Sequence, residues 1–416
     1  MRNFGATKFY LFIETANSLL FSLAFTAMSL YEIRVAALSP LQLVLVGTAL
    51  ELSVLLCEVP TGVVADVYSR RLSIIIGFGL IGLGFLLEGL FPLFGTILIA
   101  QVLWGLGYTF TSGSRQAWLS DEIGEEAANH AFLRANKFSL GGSLAGMLLA
   151  VFAGSRQINL PILASGGLFV LLAGILSLSM PETGFHPAPQ EERNSFQTML
   201  RTFHLGLQTV RRRPRLMTIL GMGLFFGLYS EGFDRLWIKL LLGRFTLPVF
   251  FGGNEIAFFS LLGALSVLLS IAATTLVEKR LDTSQPSLIG RLMAVITLGI
   301  AASILVFAWS PFLGLTIAAY LLVSALRNLV DPLMNAWVNQ RLDADVRATV
   351  LSMVGQVDAA GQIAGGPFIG LVANLASVQA AIAISGLLLT PALPLIRAAN
   401  GKEHAPGVKE EAVYPS

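Results

Sequence analysis

Long apolar stretches alternate with short polar ones along almost the whole chain. A helix needs about 20 mostly apolar residues to cross the hydrocarbon core of a bilayer. Twelve stretches of the sequence meet this requirement, and they cover residues 8–30, 41–62, 72–91, 96–119, 138–154, 160–180, 216–242, 255–277, 288–309, 312–335, 350–373 and 378–397. The pattern therefore predicts an all-α membrane protein with twelve transmembrane helices.

One polar segment, residues 181–215, is much longer than the others and follows the sixth apolar stretch. It predicts a cytoplasmic linker between an N-terminal six-helix bundle, residues 1–180, and a C-terminal six-helix bundle, residues 216–397. Apolar residues recur at helical spacing within residues 196–210, so we expect the linker to contain an amphipathic helix on the inner membrane surface. The polar tail, residues 398–416, is predicted to be a disordered cytoplasmic segment.

The two predicted bundles share a faint internal repeat. Sliding the sequence along itself by 219 residues places residues 112–146 over residues 331–365. The identities in this overlap are Ala117-Trp118 with Ala336-Trp337, Gly142 with Gly361, and Ala145-Gly146 with Ala364-Gly365. The same shift maps the fourth and fifth helices onto the tenth and eleventh, as a duplicated six-helix unit requires. The two bundles are therefore expected to be pseudo-symmetric.

The composition agrees with a membrane protein and excludes several other classes. Of the 416 residues, 55% are hydrophobic and 12% are charged, which is about half the charged fraction of an average soluble protein. A net charge of +2 gives no reason to expect nucleic-acid binding. The single cysteine, Cys57, cannot form an intrachain disulfide, and the four histidines fall in predicted loops or in the tail. We therefore expect no metal site and no cofactor.

The positions of lysine and arginine predict the orientation of the chain. If both termini are cytoplasmic, nearly all of these residues face the cytoplasm, and the outer loops contain only Arg34, Arg156 and Arg244. Cytoplasmic loops of membrane proteins are enriched in lysine and arginine. The sequence thus predicts a multi-pass protein of the inner (plasma) membrane with both termini in the cytoplasm. We expect a monomer surrounded by the lipid bilayer.

The loop between the second and third helices carries the pattern G-x-x-x-D-x-x-x-R-R, formed by Gly62, Asp66, Arg70 and Arg71. A small residue such as Gly62 lets helix backbones approach closely in lipid. The pattern, found at this position, resembles the loop signature of the major facilitator superfamily. The helix count, the division into six and six, and the repeat resemble that family too. The resemblance implies that Asp66, Arg70 and Arg71 latch the cytoplasmic ends of the two halves in one state of a transport cycle.

Within that superfamily, the chain is similar to the drug-efflux and tetracycline-resistance branch, with two departures. Drug-efflux members often carry an arginine in the fourth helix just before a Gly-x-Gly, whereas here Gln101 precedes Gly105-Leu-Gly107. A Gly-Pro pair expected late in the fifth helix of antiporters is missing from residues 141–146. The role of that arginine is therefore not carried over to Gln101, and the antiporter assignment is weakened.

Ionisable groups at membrane depth are energetically expensive, so each one is a candidate functional residue. The seventh helix carries Glu231, Asp234 and Arg235 at positions i, i+3 and i+4, on one face. Arg235 can neutralise one of the two acids, which leaves the other as a candidate proton carrier. The alternative interpretation is a purely structural cluster of ion pairs.

Three more acids are candidates for proton coupling. Glu51 lies near the middle of the second helix, and Glu58 follows seven residues later on roughly the same face. Glu14 lies in the first helix, with Asn17 at i+3 as a candidate substrate contact. The alternative for these acids is a protonated, hydrogen-bonded group inside the bundle.

The remaining candidates for a gate or for substrate contacts lie in helices four, ten and eleven. Arg327 and Asp331 are spaced i, i+4 and either act at an inner gate or form a self-satisfied pair. Asp358 and Gln362 share one helix face, and Arg115 either contacts substrate or extends to the membrane surface.

Two other acids are expected to be ordinary solvated groups. Glu32 and Glu88 lie near the predicted outer ends of the first and third helices. A carboxylate at such a position can reach water, so no role in binding or coupling is predicted for either residue.

No nucleophile triad, phosphate-binding loop or metal cluster can be identified in the sequence. We therefore expect no enzyme activity, and the energy for transport should come from an ion gradient. The pattern favours a secondary transporter that works by alternating access. More specifically, it favours proton-coupled antiport, in which hydrophobic or amphipathic small molecules such as antibiotics are exported. The alternatives are a lipid or metabolite transporter, including one for uptake, and a membrane receptor or scaffold that transports nothing.

Overall fold

The structure is a computed structural model that describes residues 2–187, 214–248, 254–280, 285–341 and 344–401. In these ranges the chain is helical and contains no strand. The helices are α1 (Arg2–Arg34), α2 (Pro40–Val67), α3 (Arg70–Leu90), α4 (Phe94–Thr111), α5 (Ser114–Ile123), α6 (Glu125–Gly154), α7 (Leu160–Ser179), α8 (Pro214–Arg244), α9 (Glu255–Arg280), α10 (Pro286–Trp309), α11 (Leu313–Arg341), α12 (Ala344–Leu375), α13 (Val378–Leu388) and α14 (Ala392–Gly401).

The predicted twelve-helix membrane protein is confirmed. Helices α4 and α5 form one membrane segment, interrupted where Gly113 adopts a φ of 70°. Helices α13 and α14 form another. Ten of the resulting segments in the described chain are long and apolar enough to cross a membrane. The other two are α8 and α12, which carry several of the ionisable candidates in their middle portions.

Several predicted helix ends were wrong, because the apolar pattern marks only the part of a helix that lies in lipid. The fifth membrane helix was predicted to begin at residue 138, but α6 already begins at Glu125. The polar turn predicted over residues 62–71 is much shorter, since α2 continues to Val67 and α3 begins at Arg70. Ser69 caps α3 by accepting a hydrogen bond from the backbone N–H of Leu72.

The linker and the tail are described only at their edges. Helix α8 begins at Pro214, inside the predicted linker, and α14 continues to Gly401, inside the predicted tail. The amphipathic helix predicted within residues 196–210 lies outside the described residues, as do residues 402–416. The domain boundaries drawn from the sequence therefore stay predictions.

The glycines of the internal repeat occupy equivalent positions in the two halves of the molecule. On α6, a Cβ at Gly142 would meet the backbone carbonyl of Thr15, and a Cβ at Gly146 would meet that of Leu19. On α12, the equivalent residues Gly361 and Gly365 lie in the same way against the backbone carbonyls of Leu224 and Leu228 on α8. The pair α1 and α6 and the pair α8 and α12 are thus packed backbone to backbone by the same device.

We call α1–α7 the N half and α8–α14 the C half. The halves meet through α2 against α8 and α12, and through α6 against α9. These contacts concentrate at the end of the bundle opposite the turn at Tyr68 and Ser69. There Arg34 is ion-paired with Glu255, Lys239 donates to the carbonyl of Leu38, and the backbone N–H of Leu41 donates to Asn374 Oδ1 at 3.2 Å. We call this end the closed face and the opposite end the loop face.

Candidate functional site

A central cavity of about 590 Å³ separates the two halves towards the loop face. Its four aromatic rings all belong to the N half, where α1 contributes Phe21 and Phe25 and α4 contributes Trp104 and Tyr108. The C half faces these rings with the polar side chains of α12, which are Ser352, Gln356, Asp358 and Gln362. The N half therefore provides an aromatic wall, which also carries Glu51 and Glu58, and the C half provides a polar wall.

A second cavity of about 480 Å³ adjoins the central one inside the C half. Both cavities are lined by Asp358 and Gln362, so they form neighbouring parts of one chamber. Tyr229, Asp331 and Asn335 line the second part together with Arg327. The candidates predicted on the tenth and eleventh membrane helices, which are α11 and α12 in the structure, thus lie around the same space.

Asp234 and Arg327 form an ion pair between α8 and α11. Both Nη atoms of Arg327 donate to the carboxylate, with a distance of 2.8 Å from Nη2 to Asp234 Oδ2. The guanidinium also lies over the ring of Tyr229. Of the two alternatives for Arg327 and Asp331, the self-satisfied pair within one helix is not formed, because a two-point carboxylate contact across the helices holds the arginine instead. Asp331 faces the chamber.

Glu231 and Arg235 form a second ion pair, where α8 packs against α2 of the N half. The distance from Arg235 Nε to Glu231 Oε1 is 3.0 Å, and Glu231 is only 4% exposed. A Cβ at Gly47 of α2 would collide with both side chains, so Gly47 provides the space in which this pair packs against the N half. Sequence analysis predicted that Arg235 neutralises one of the two acids of α8, and in the structure this acid is Glu231. The expectation that one acid of α8 stays unpaired was wrong, since Asp234 has Arg327.

Glu14 and Arg115 form a third pair inside the N half. Glu14 Oε1 lies 3.0 Å from Arg115 Nη1, and both side chains are largely buried. Arg115 therefore does not extend to the membrane surface, which was the alternative considered for it. Both Arg115 and Asn17 line the central cavity.

The four acids that line the two cavities of the chamber are left without a cation. In the described part of the chain, Glu51, Glu58, Asp331 and Asp358 take part in no ion pair. Gln362 donates to Asp358 Oδ2 at 2.8 Å, which orients that carboxylate without neutralising it. The two arginines that line the chamber are already paired, Arg115 with Glu14 and Arg327 with Asp234. The chamber therefore attracts cations, including protons.

Comparison with known proteins places this geometry in a family. The family model of the Major Facilitator Superfamily matches residues 10–366. The chain belongs to the major facilitator superfamily. The uncharacterized MFS-type transporter YxaM of Bacillus subtilis (strain 168) is 22% identical over 359 residues, which cover 86% of this chain and 86% of that protein. The protein is thus a membrane transporter of this superfamily.

Solved structures of other transporters share the fold. The nucleoside transporter NupG aligns with a TM-score of 0.75 and 12% identity over 95% of this chain and 98% of that one. A bacterial homolog of the human lysosomal transporter Spinster, in an inward-facing and unoccupied conformation, aligns with a TM-score of 0.74 and 15% identity over 96% and 97% of the two chains. A D-xylose-proton symporter aligns with a TM-score of 0.65 and 12% identity over 93% and 98%. At these identities the similarity establishes the fold and not the substrate.

Among the described residues, the polar contacts of the superfamily's signature loop are with the N half. Arg70 is ion-paired with Asp66 and lies 3.4 Å from Asp121 Oδ2. The backbone N–H of Arg71 donates to Glu182 Oε1 at 2.8 Å. The close helix packing predicted at Gly62 was wrong, because a Cβ there would meet no atom within 4 Å. The loop face is open, so the predicted latch between the halves stays a prediction for another state.

Two acids that sequence analysis set aside as solvated are fully buried. Glu32 is 1% exposed and Glu88 is 0% exposed. The expectation failed because α1 continues beyond its predicted end to Arg34, and because the neighbouring helices cover the last turns of both α1 and α3. One sequence signal was available, since Gln101 is a polar side chain near the middle of an otherwise apolar helix. Its Nε2 donates to Glu88 Oε2 at 2.9 Å.

Proposed function

We propose that this protein is a proton-coupled exporter of cationic amphipathic small molecules, working by alternating access. The observation that carries the proposal is the chamber between the halves, which combines the four aromatic rings of its central cavity with four acids that have no cationic partner in the described part of the chain. Aromatic faces bind flat apolar groups and attract cations. Unpaired carboxylates at membrane depth bind either a proton or a cationic ligand. Competition between the two at the same acids links their opposite movements.

The predicted orientation supports export. If the termini are cytoplasmic, as the distribution of basic residues predicts, the loop face is the inner face and the chamber is open to the cytoplasm. A cationic compound would enter from that side and leave when the halves rock and open the closed face. Glu51 is our first candidate for the exchange of proton and substrate, with Glu58 and Asp358 beside it on the chamber wall.

The three paired acids have a different proposed part in coupling. Glu14, Glu231 and Asp234 are each held by an arginine, and an adjacent cation favours the charged form of a carboxyl group. A change of partner during the cycle would release them to take up a proton. Asp66, Arg70 and Arg71 are proposed to latch the loop face when it closes.

Transport of ethidium, a flat aromatic cation, by proteoliposomes with a trapped pH-sensitive dye tests the proposal. We expect ethidium flux in one direction to produce proton flux in the other, and an ionophore that collapses the proton gradient to stop both. Because Glu51 has no cation and faces the chamber, Glu51→Gln should lower the coupled flux at least about tenfold, which corresponds to about 1.4 kcal/mol.

The matched control is Glu126→Gln, which removes an exposed acid at the start of α6, outside the chamber. It should transport like the unaltered protein. Ethidium flux that persists without a proton gradient would show that the coupling is wrong. Uptake of a nucleoside or a lipid in place of ethidium would favour the metabolite or lipid alternative. Tight ethidium binding without flux would favour a receptor.

A further inference from the structure

Two carboxyl groups are buried together outside the chamber, behind its aromatic wall. Glu32 near the end of α1 and Glu88 near the end of α3 are buried side by side, with their carboxyl groups within hydrogen-bonding reach of each other. Neither lines the described cavities. In each residue Oε1 is buried and receives no donor from another described group. Two ionised carboxylates buried this close would repel each other and neither could donate a hydrogen bond, so the packing of this pair requires at least one proton.

The charges around the pair also call for a bound proton. Among the described residues, the charged groups that act on it are Arg235 and Glu231 of α8, and these two neutralise each other. From α1, the hydroxyl of Tyr31 donates to the backbone carbonyl of Glu88 at 2.8 Å. If both acids were ionised, three buried carboxylates would share one guanidinium. Each uncompensated buried charge costs several kcal/mol, so full ionisation is incompatible with this packing.

A chain of hydrogen bonds joins the pair to the central cavity. Gln101 donates from Nε2 to Glu88, and its Oε1 accepts a hydrogen bond of 2.8 Å from the indole N–H of Trp104. Trp104 lines the cavity and contacts Phe25, with the ring centroids 5.6 Å apart. A ligand that turns the Trp104 ring would therefore withdraw the partner that fixes the amide of Gln101. The hydrogen bond to Glu88 depends on that amide.

The pair also lies next to the seam between the halves. Both acids belong to the N half, whereas Arg235 belongs to the C half and packs across the seam at Gly47. Opening the closed face would remove Arg235 and admit water. These changes have opposite effects, since losing a cation favours protonation and hydration favours ionisation. Hydration dominates because the charge of Arg235 is already offset by Glu231, so opening releases the proton and proton binding favours closure.

We infer that Glu32 and Glu88 form a second proton-binding site, separate from the chamber, which is occupied while the closed face is shut and is connected to bound substrate through Gln101 and Trp104. The use of this proton in transport rests on the proposed function. Its binding does not, because it follows from the burial and the contacts of the pair. Under the proposed orientation, an acidic exterior would drive the protein back to the state in which the chamber faces the cytoplasm.

Infrared difference spectra between the unaltered protein and its variants, recorded without substrate, detect the proton directly. We expect the carbonyl stretch of a protonated carboxyl group that is shielded from exchange with heavy water. Glu88→Gln and Glu32→Gln should each abolish this band, and Glu126→Gln should leave it unchanged. A spectrum of the unaltered protein without the band, or a band that survives both substitutions, would overturn the inference.

A distance measurement tests the link to closure. Spin labels at Leu93→Cys and Phe312→Cys, in a Cys57→Ser background, report on two exposed loop positions of the closed face, one in each half. We expect the label distance to lengthen from mildly acidic to mildly alkaline pH. In Glu88→Gln it should stay short throughout, because the amide can donate to Glu32 without a bound proton. A label distance that does not change with pH, or that changes equally with pH in Glu88→Gln and Glu126→Gln, would overturn the link.

These outcomes are distinguishable from failure of the proposed function. If vesicles show no proton-coupled export while the band and the pH-dependent opening are present, the proposed function is wrong and the second proton site stands. If export is coupled to protons but the band is absent, the second site is wrong and the coupling belongs to the acids of the chamber.

Discussion

The ionisable side chains near the centre of this molecule are held by an arginine, turned towards the chamber, or buried together as Glu32 and Glu88 are. Only one of these arrangements could be predicted from sequence spacing, namely the i, i+4 pair of Glu231 and Arg235. The pair of Asp234 and Arg327 joins residues far apart in the chain, and no local pattern indicates it. Sequence therefore identified the candidates, but their partners depend on how the helices pack.

Replacing Asp234 by Asn should destabilise the protein. Arg327 would then keep its charge in a half-buried position without a counter-ion. Removing one partner of a fully buried pair costs about 3–5 kcal/mol. Because the side chains of Arg327 and Asp234 are 33% and 42% exposed, we expect about 1–2 kcal/mol here. Thermal unfolding in detergent would measure the loss.

The double variant Asp234→Asn with Arg327→Gln provides the matched comparison. It removes both charges, so it should be more stable than the Asp234→Asn variant alone, and the thermodynamic cycle should give a favourable coupling energy. Strictly additive effects of the two substitutions would mean that the pair contributes nothing.

At the scale of helices, the sequence predicted which helices exist and in what order, but it placed their ends poorly. Apolar stretches of membrane length identified all twelve membrane segments, because hydrocarbon demands them. They could not locate helix ends such as Glu125 of α6, because a helix can continue beyond the hydrocarbon into water, where its side chains are polar. The interruption after α4 depends on the conformation of Gly113, which hydropathy does not reveal.

The repeat predicts equal effects for equivalent glycines. Gly146→Ala and Gly365→Ala each place a methyl group against a backbone carbonyl of the neighbouring helix, which cannot move aside as a side chain can. Overpacking of this kind typically costs about 1–3 kcal/mol. We expect the two variants to lower thermal stability by similar amounts.

Gly141→Ala is the control on the same helix as Gly146. A Cβ at Gly141 would meet no atom within 4 Å, and alanine is the better helix former by about 1 kcal/mol. Stability should therefore be unchanged or slightly raised. A loss as large as that of Gly146→Ala would mean that the packing against α1 is not the cause.

At the scale of the whole molecule, the structure shows one of the two states expected of an alternating-access transporter. The N half and C half touch at the closed face and separate towards the loop face. The sequence could predict two pseudo-symmetric halves from the repeat and the linker. It could not predict which face is shut, because both states use the same helices and differ only in contacts between residues distant in the chain.

The contacts that hold the closed face shut differ in strength, so the effects of removing them can be ranked. Lys239→Met removes a charged donor from the carbonyl of Leu38, and hydrogen bonds to charged groups contribute about 1.5–3 kcal/mol. Glu255→Gln breaks an ion pair with Arg34, whose side chain is 45% exposed, and exposed pairs contribute about 0.2–1 kcal/mol. The spin labels at positions 93 and 312 should report more opening in Lys239→Met. More opening in Glu255→Gln would contradict this ranking.

The rings of the central cavity all move with the N half, while Asp358 and Gln362 move with the C half. A compound with a flat apolar body and a charged end can hold both walls at once, so its binding energy can draw them together around it. A compound that reaches only the rings gains nothing from that closure. It would block the passage as an inhibitor instead of being carried through it.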